Sequence, residues 1–285
     1  MSPVTQRASR AFRKAFAQAK TGELNFPTSL DASRRVLKAV ENPDIGLAML
    51  AKIVIFEPLL SAKVIRFANS VVMNPTNQVI RDVRLAVARV GMDPIKALAM
   101  VLVMNQLRQS LRHASTRDLS NRLWERSVNV AALAYVIAKK MTVLSPDEAM
   151  FAGIVHDLGR FYLMALVLDY PELLENQAAL AETINDLGER ATRRVLEELK
   201  LPGPVIEAVM ASGQYGKTMP PATLSDVLFV ARTLSPRPDP FDALDARVTP
   251  VADAAATLGL DQSTVAEVIA ASGNEIYSIV VALES

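Results

Sequence analysis

Apolar residues recur at helical spacing along most of the chain, and the breaks fall where proline, glycine and capping residues sit. Over residues 7–20, Ala8, Ala11, Phe12, Ala15, Phe16 and Ala19 share one face, with Arg7, Arg10, Arg13, Lys14 and Lys20 around the rest. This predicts a basic amphipathic helix, and its mostly alanine face suits docking onto the protein body better than lying on an anionic membrane. A helix is expected over 31–40, ending at Asn42-Pro43, and another from Asp44 as N-cap, turning Ile45, Ala48, Met49 and Ile53 to the core. Pro58 opens a helix whose inner face is Leu60, Val64, Phe67, Ala68 and Val71 and which runs into Asn69-Ser70. Helices over 81–90 and from Asp93-Pro94, with Asp93 as N-cap, complete a first half without a strand pattern.

The polar segment 106–121 marks a boundary between two lobes. After it, Leu123, Ser127, Val130, Ala131, Ala134, Ala138 and Met141 trace one face whose small residues invite a close neighbour. Ser145-Pro146-Asp147-Glu148 reads as a capping box with proline at the first helical position, and starts a helix that holds Met-Phe-Ala-Gly-Ile-Val-His-Asp-Leu-Gly-Arg at 150–160. Further helices are expected over 161–168, 182–200, 204–211 and 224–234, then a Pro-rich loop at 235–240 and two closing helices.

Composition changes this picture little. A chain of 285 residues with 51% hydrophobic content has ample material for a buried core, and 5% aromatic residues with abundant alanine and leucine favours helix packing. Thirty-one basic against 30 acidic side chains creates no field towards nucleic acid, so binding through the first helix or the Arg-rich stretch 108–117 is the weakest functional reading. Without cysteine there is neither a disulfide framework nor a thiolate site. No uninterrupted apolar run reaches the length needed to span a bilayer, and the chain is read as soluble and cytoplasmic.

The chemistry concentrates at His156-Asp157, the one adjacent His-Asp pair in a chain with two histidines. About 100° apart on a helix, both side chains can flank one point, with Gly153 a turn earlier leaving room. Two ligands do not make a divalent-metal site. A helix-terminal polar pair bonded to backbone is the competing interpretation. His113, in the polar segment, is read as a surface histidine.

Glu57-Pro58-Leu59-Leu60-Ser61, continuing to Asn69-Ser70, together with Phe26-Pro27, Asn42-Pro43-Asp44, Leu123-Trp124-Glu125-Arg126-Ser127, Ala152 to Gly159 and Leu201-Pro202, resembles the HDOD domain. This is the HD-related output domain of bacterial signalling proteins. The likeness runs from about Thr21 to Leu234, with Glu57 where the family commonly has Asp. It implies an all-α protein in which a helical N-terminal lobe packs on a degenerate lobe similar to HD phosphohydrolases. The expected organisation is a basic helix at 1–24 and an HDOD domain at 25–285, with lobes at about 25–115 and 116–234 and C-terminal helices at about 235–285.

HD enzymes use a His, His-Asp, Asp ligand set. The resemblance places the first His in a Leu-Trp-x-His-Ser segment, where this chain has Arg126, and the last Asp at Ala231-Arg232. Neither 188–190 nor Ser212-Gly213 supplies an additional histidine. A guanidinium cannot ligate a cation, so Arg126, and less directly Arg232, is expected to pair with Asp157 in place of a metal. Asn69 and Ser70 are read as a clasp between helices or a partner site, and Trp124 as a core or lobe-interface anchor. The resulting expectation is a non-catalytic regulatory module without metal or cofactor, binding other signalling proteins or a small anionic ligand. With no sensor, kinase or receiver segment attached, its input and output are expected to be intermolecular. A phosphohydrolase or cyclic-dinucleotide phosphodiesterase with an unusual ligand set is the alternative.

Overall fold

The computed structural model describes residues 2–18, 36, 38–39, 42, 44–111, 114–213, 220–245 and 262–284. Every regular element among them is a helix. Most of the expected helix at 31–40, the Phe26-Pro27 motif and His113 lie outside the described residues. The first lobe contains α2 (Leu47–Ile55), α3 (Pro58–Ala68), α4 (Val83–Val90) and α5 (Met92–Ser110), and α1 (Pro3–Gln18) precedes it in the chain. The second holds α6 (Ala114–Met141), α7 (Pro146–Val155), α8 (Leu158–Leu166), a 3₁₀ turn at Val167–Asp169, α9 (Pro171–Leu174), α10 (Gln177–Glu198), α11 (Gly203–Ala211) and α12 (Leu224–Thr233). The described chain closes with α13 (Gln262–Ala271) and α14 (Gly273–Glu284).

The long helix α6 is the axis, with α7, α12 and α14 packed around it. Every residue from Val130 to Ala138 is buried, so the helix is enclosed on all sides rather than along one stripe. Small residues set the approach. A Cβ at Gly153 of α7 would lie 2.5 Å from Ala131 Cα, and one at Gly159 of α8 would lie 2.0 Å from the Thr192 amide nitrogen on α10. Side chains longer than hydrogen are excluded at both crossings.

The lobes share one hydrophobic core. Helix α5 packs on both α7 and α8, and α14 bridges α3 and α6. Lys63 Nζ donates to the Leu283 carbonyl at 3.1 Å, while Lys139 and Lys140 pair with Glu275 at 2.8 and 3.1 Å. Helix α1 docks on α9 and α10. Its seated face is Thr5, Ser9, Phe12 and Phe16, whereas Ala11 and Ala15 are exposed. The phenylalanines supply the apolar area that alanine lacks, and Ser9 and Thr183 hydroxyls meet at 2.9 Å. Arg13 pairs with Asp186 at 2.6 Å, and Arg194 donates to the Phe16 carbonyl at 2.7 Å.

Three expected helix details differ. Gly46, not Asp44, is the N-cap of α2, and the buried residues are Leu50, Ala51 and Val54, with Ala48 and Met49 exposed. A nearly all-apolar helix has no polar face to fix its rotation in advance. Helix α5 starts at Met92, because Gly91, at φ +80°, turns the chain directly from α4 into α5. Asp93 therefore lies inside the first turn, paired with Lys96 at 2.9 Å. Val71 falls beyond the end of α3 and is exposed.

Among the described residues one stretch, Pro146–Asp169, is apolar and long enough to cross a membrane, and 78% of its apolar 18-residue window is buried within the fold. Gly159→Ala forces a backbone clash at the α8–α10 crossing and is expected to destabilise the protein by about 3 kcal/mol. Gly203→Ala, with nothing within 4 Å, should change stability by under about 0.5 kcal/mol. Denaturant unfolding of both variants checks the contrast.

Candidate functional site

Ser145 caps α7 by accepting a hydrogen bond from the Glu148 amide at 3.3 Å, with Pro146 at the first helical position. The helix ends at Val155, earlier than the sequence pattern suggests, and His156-Asp157 forms the corner before α8. A carbonyl can only accept, so His156 Nδ1 donates to the Gly153 carbonyl at 2.7 Å. That bond fixes the ring, closes the last turn of α7 and points Nε2 at Asp157 Oδ2, 3.0 Å away. Neither atom has a hydrogen bond of good geometry, so the pair is a close electrostatic contact.

Three more elements converge here. Arg126 comes from α6, Arg160 from the first turn of α8 and Arg232 from the last turn of α12. Arg126 Nε lies 4.0 Å from Asp157 Oδ2 and 3.8 Å from Asp239 Oδ2, while its Nη1 donates to the Arg237 carbonyl at 3.0 Å. The expected Arg126–Asp157 ion pair is therefore present at the limit of contact and shared with Asp239. Arg232 does not pair with Asp157. Its Nη1 donates to Ser212 Oγ at 2.9 Å, and no carboxylate among the described residues lies within ion-pair distance of it.

The short contacts belong to two residues to which the sequence reading gave no role. Arg160 Nε is 3.7 Å from Asp157 Oδ1, and its Nη1 bonds directly to Asp239 Oδ2. Asp239 Oδ1 also accepts from the Phe241 amide at 3.0 Å, and the Arg160 guanidinium lies over the Phe241 ring at 5.7 Å. Arg160 follows Asp157 by three positions, a helical spacing that offered a signal. Asp239 stands between two prolines in an irregular loop, where no periodicity points inward. The two segments searched for extra histidines do border the site: Gly188 faces the Arg160 side chain, and Ser212 receives Arg232.

His156, Asp157, Arg126 and Asp239 are all buried. Burial alone would raise the Asp157 carboxyl, but His156, Arg160 and Arg126 outweigh it and hold Asp157 well below the usual carboxylate range. Asp239 is also pushed up by burial and by Asp157, yet Arg160 and Arg126 bring it below its ordinary value. Burial lowers the Arg232 guanidinium, only partly opposed by Asp157. Among the described residues no three His, Cys, Asp or Glu side chains gather around a common ion position.

The other predicted residues lie elsewhere. Asn69 donates to the Ile65 and Ile80 carbonyls at 2.9 and 2.7 Å and accepts from the Ile80 amide at 2.8 Å, clasping the end of α3 to the strap before α4. Ser70 is buried beside it, its hydroxyl without a hydrogen bond. Trp124 is buried, with the Arg108 guanidinium of α5 5.5 Å from its ring centroid, which anchors α5 to α6.

The HDOD domain model matches residues 26–213, well over half of the sequence. The chain belongs to the HDOD family. Its fold is similar to that of a candidate metal-dependent phosphohydrolase from Shewanella amazonensis, at 22% identity, covering 98% of this chain and 99% of that one, with a TM-score of 0.71. An HDOD domain protein of unknown function from Geobacter sulfurreducens matches at 18% identity over 98% of each chain, TM-score 0.63. A candidate signal transduction protein from Marinobacter aquaeolei matches at 19% identity over 99% of this chain and 66% of that one, TM-score 0.61. At these identities the likeness is one of fold. No match was found among curated proteins.

Asp157→Asn leaves buried guanidiniums short of a counter-charge and is expected to cost this HDOD protein about 3 kcal/mol. The acid dependence has a defined sign. A carboxyl held low in the folded state stabilises fully above its unfolded pKa of about 4 and loses that contribution as pH falls through its folded value. Wild-type stability should therefore fall more steeply below pH of about 4 than that of Asp157→Asn, as read from denaturant unfolding across pH.

Proposed function

We propose that this HDOD protein is a cytoplasmic, non-catalytic signalling module that acts by binding another protein or a small ligand. The observation carrying the proposal is that the Asp157 and Asp239 carboxylates face guanidiniums where an HD enzyme would hold its metal. His156 donates Nδ1–H to Gly153 and so keeps Nε2 as a potential ligand, but a divalent ion beside Asp157 would meet the positive charges of Arg126 and Arg160. These residues do not fit a divalent metal, and no hydrolytic step is derived through one. Family membership and a fold neighbour named as a candidate signal transduction protein support the signalling role.

A second reading, metal-dependent phosphoester hydrolysis, draws on the adjacent His156-Asp157 pair and on the neighbour named as a candidate metal-dependent phosphohydrolase. Assays of the purified chain with nucleotides and cyclic dinucleotides, supplied in turn with magnesium, manganese and zinc, separate the two. The module reading expects no turnover above buffer. Metal-dependent turnover abolished by Asp157→Ala would establish the hydrolase instead.

A further inference from the structure

The segment after α12 brings one charged side chain into the site, Asp239, followed by buried Pro240 and Phe241. Prolines 236, 238 and 240 stiffen it and supply no N–H donors, and Asp239 is buried between the last two. Besides buried Pro240, its other ties are two. Arg126 bonds the Arg237 carbonyl, and the exposed Arg237–Glu125 pair at 3.5 Å contributes little. The Asp239 carboxylate, on Arg160 and the Phe241 amide, is thus the main latch. Phe241, fully buried next to it, stays as the anchor from which the segment could swing.

The arginines are not used up by the carboxylates. Asp157 and Asp239 are the carboxylates in contact with the arginines, with Asp242 at longer range, yet Arg126 Nε is buried without a hydrogen bond, and among the described residues Arg232 donates to the neutral Ser212 hydroxyl with no carboxylate within ion-pair distance. An Arg cluster with an unused donor is a receptor for an oxyanion, and Asp239 already presents one oxygen, Oδ2, to Arg126 and Arg160. We propose that Asp239 is a built-in occupant of an oxyanion site formed by Arg126, Arg160 and Arg232, and that a small free oxyanion can take its place and release the 235–240 loop. The occupant is small, because Arg126 and Asp239 are only 7% and 8% exposed. A carboxylate or a phosphate supplies the required chemistry. This proposal rests on the metal-free reading of the site, and it couples ligand binding to a change on the surface that a partner could read.

Asp239→Ala opens a hole of carboxylate size among the guanidiniums. Thermal unfolding of the full chain in acetate, in phosphate and in chloride at matched ionic strength reads the outcome. A rise of about 2–4 °C in acetate or phosphate over chloride is expected for Asp239→Ala, with a smaller rise in wild type. The rise should vanish in Asp239→Ala/Arg160→Gln. Response to acetate alone assigns a carboxylate, and response to phosphate alone a phosphate. In wild type, the effective anion should also speed amide exchange at Phe241, whose acceptor departs with Asp239. If Asp239→Ala does not fold, Asp239→Ser, which also vacates most of the carboxylate's place while keeping a hydroxyl acceptor for the Phe241 amide, is read the same way. Indifference of the folded variant to the anion, an equal response in wild type, or unchanged exchange at Phe241 overturns the proposal. Such a failure leaves the absence of turnover intact, whereas metal-dependent turnover would break the functional reading without altering the anion response.

Discussion

Burying a charge is costly, and the mutual compensation of Asp157, Asp239, Arg126 and Arg160 is what makes it tolerable in this fold. An isolated carboxylate at the α7–α8 corner would take up a proton. Here the surrounding cations outweigh desolvation and keep it ionised. The network ties together α6, the α7–α8 corner and the segment after α12, which are far apart in sequence. It is therefore a tertiary cross-link as well as a candidate binding site.

The cross-link depends on the packing beneath it. Gly153 brings α7 against Ala131, so the corner that carries His156 and Asp157 sits beside the helix that carries Arg126. Gly159 brings α8 against α10, and Gly188 leaves space for the Arg160 side chain. Interiors packed this densely transmit small displacements, so altering a crossing should also alter the charge geometry. The same rigidity joins the two lobes, since α5 and α14 each contact both.

Much of this was legible in the sequence. Ser145-Pro146 marks the start of α7, Pro58 that of α3, and the small residues of α6 announce close crossings. The helical class and the convergence of Arg126 with His156 and Asp157 follow from motif and spacing. Other features have no local signal. The rotation of α2 is set by neighbours, and the docking face of α1 by Thr183 and Tyr170 on distant elements. Asp239 reaches the site from an irregular loop, so only tertiary structure reveals it. Arg232, placed by motif, is near the cluster yet serves Ser212, because hydrogen-bond geometry rather than proximity decides its partner.

In the proposed module, buried guanidiniums supply the positive charge that a metal would otherwise bring to Asp157. Calorimetric titration of the chelator-treated chain with zinc and with manganese, run in parallel on Asp157→Asn, tests it most directly. No stoichiometric binding by either protein is expected. One ion per chain bound by the wild type and lost in Asp157→Asn would contradict it.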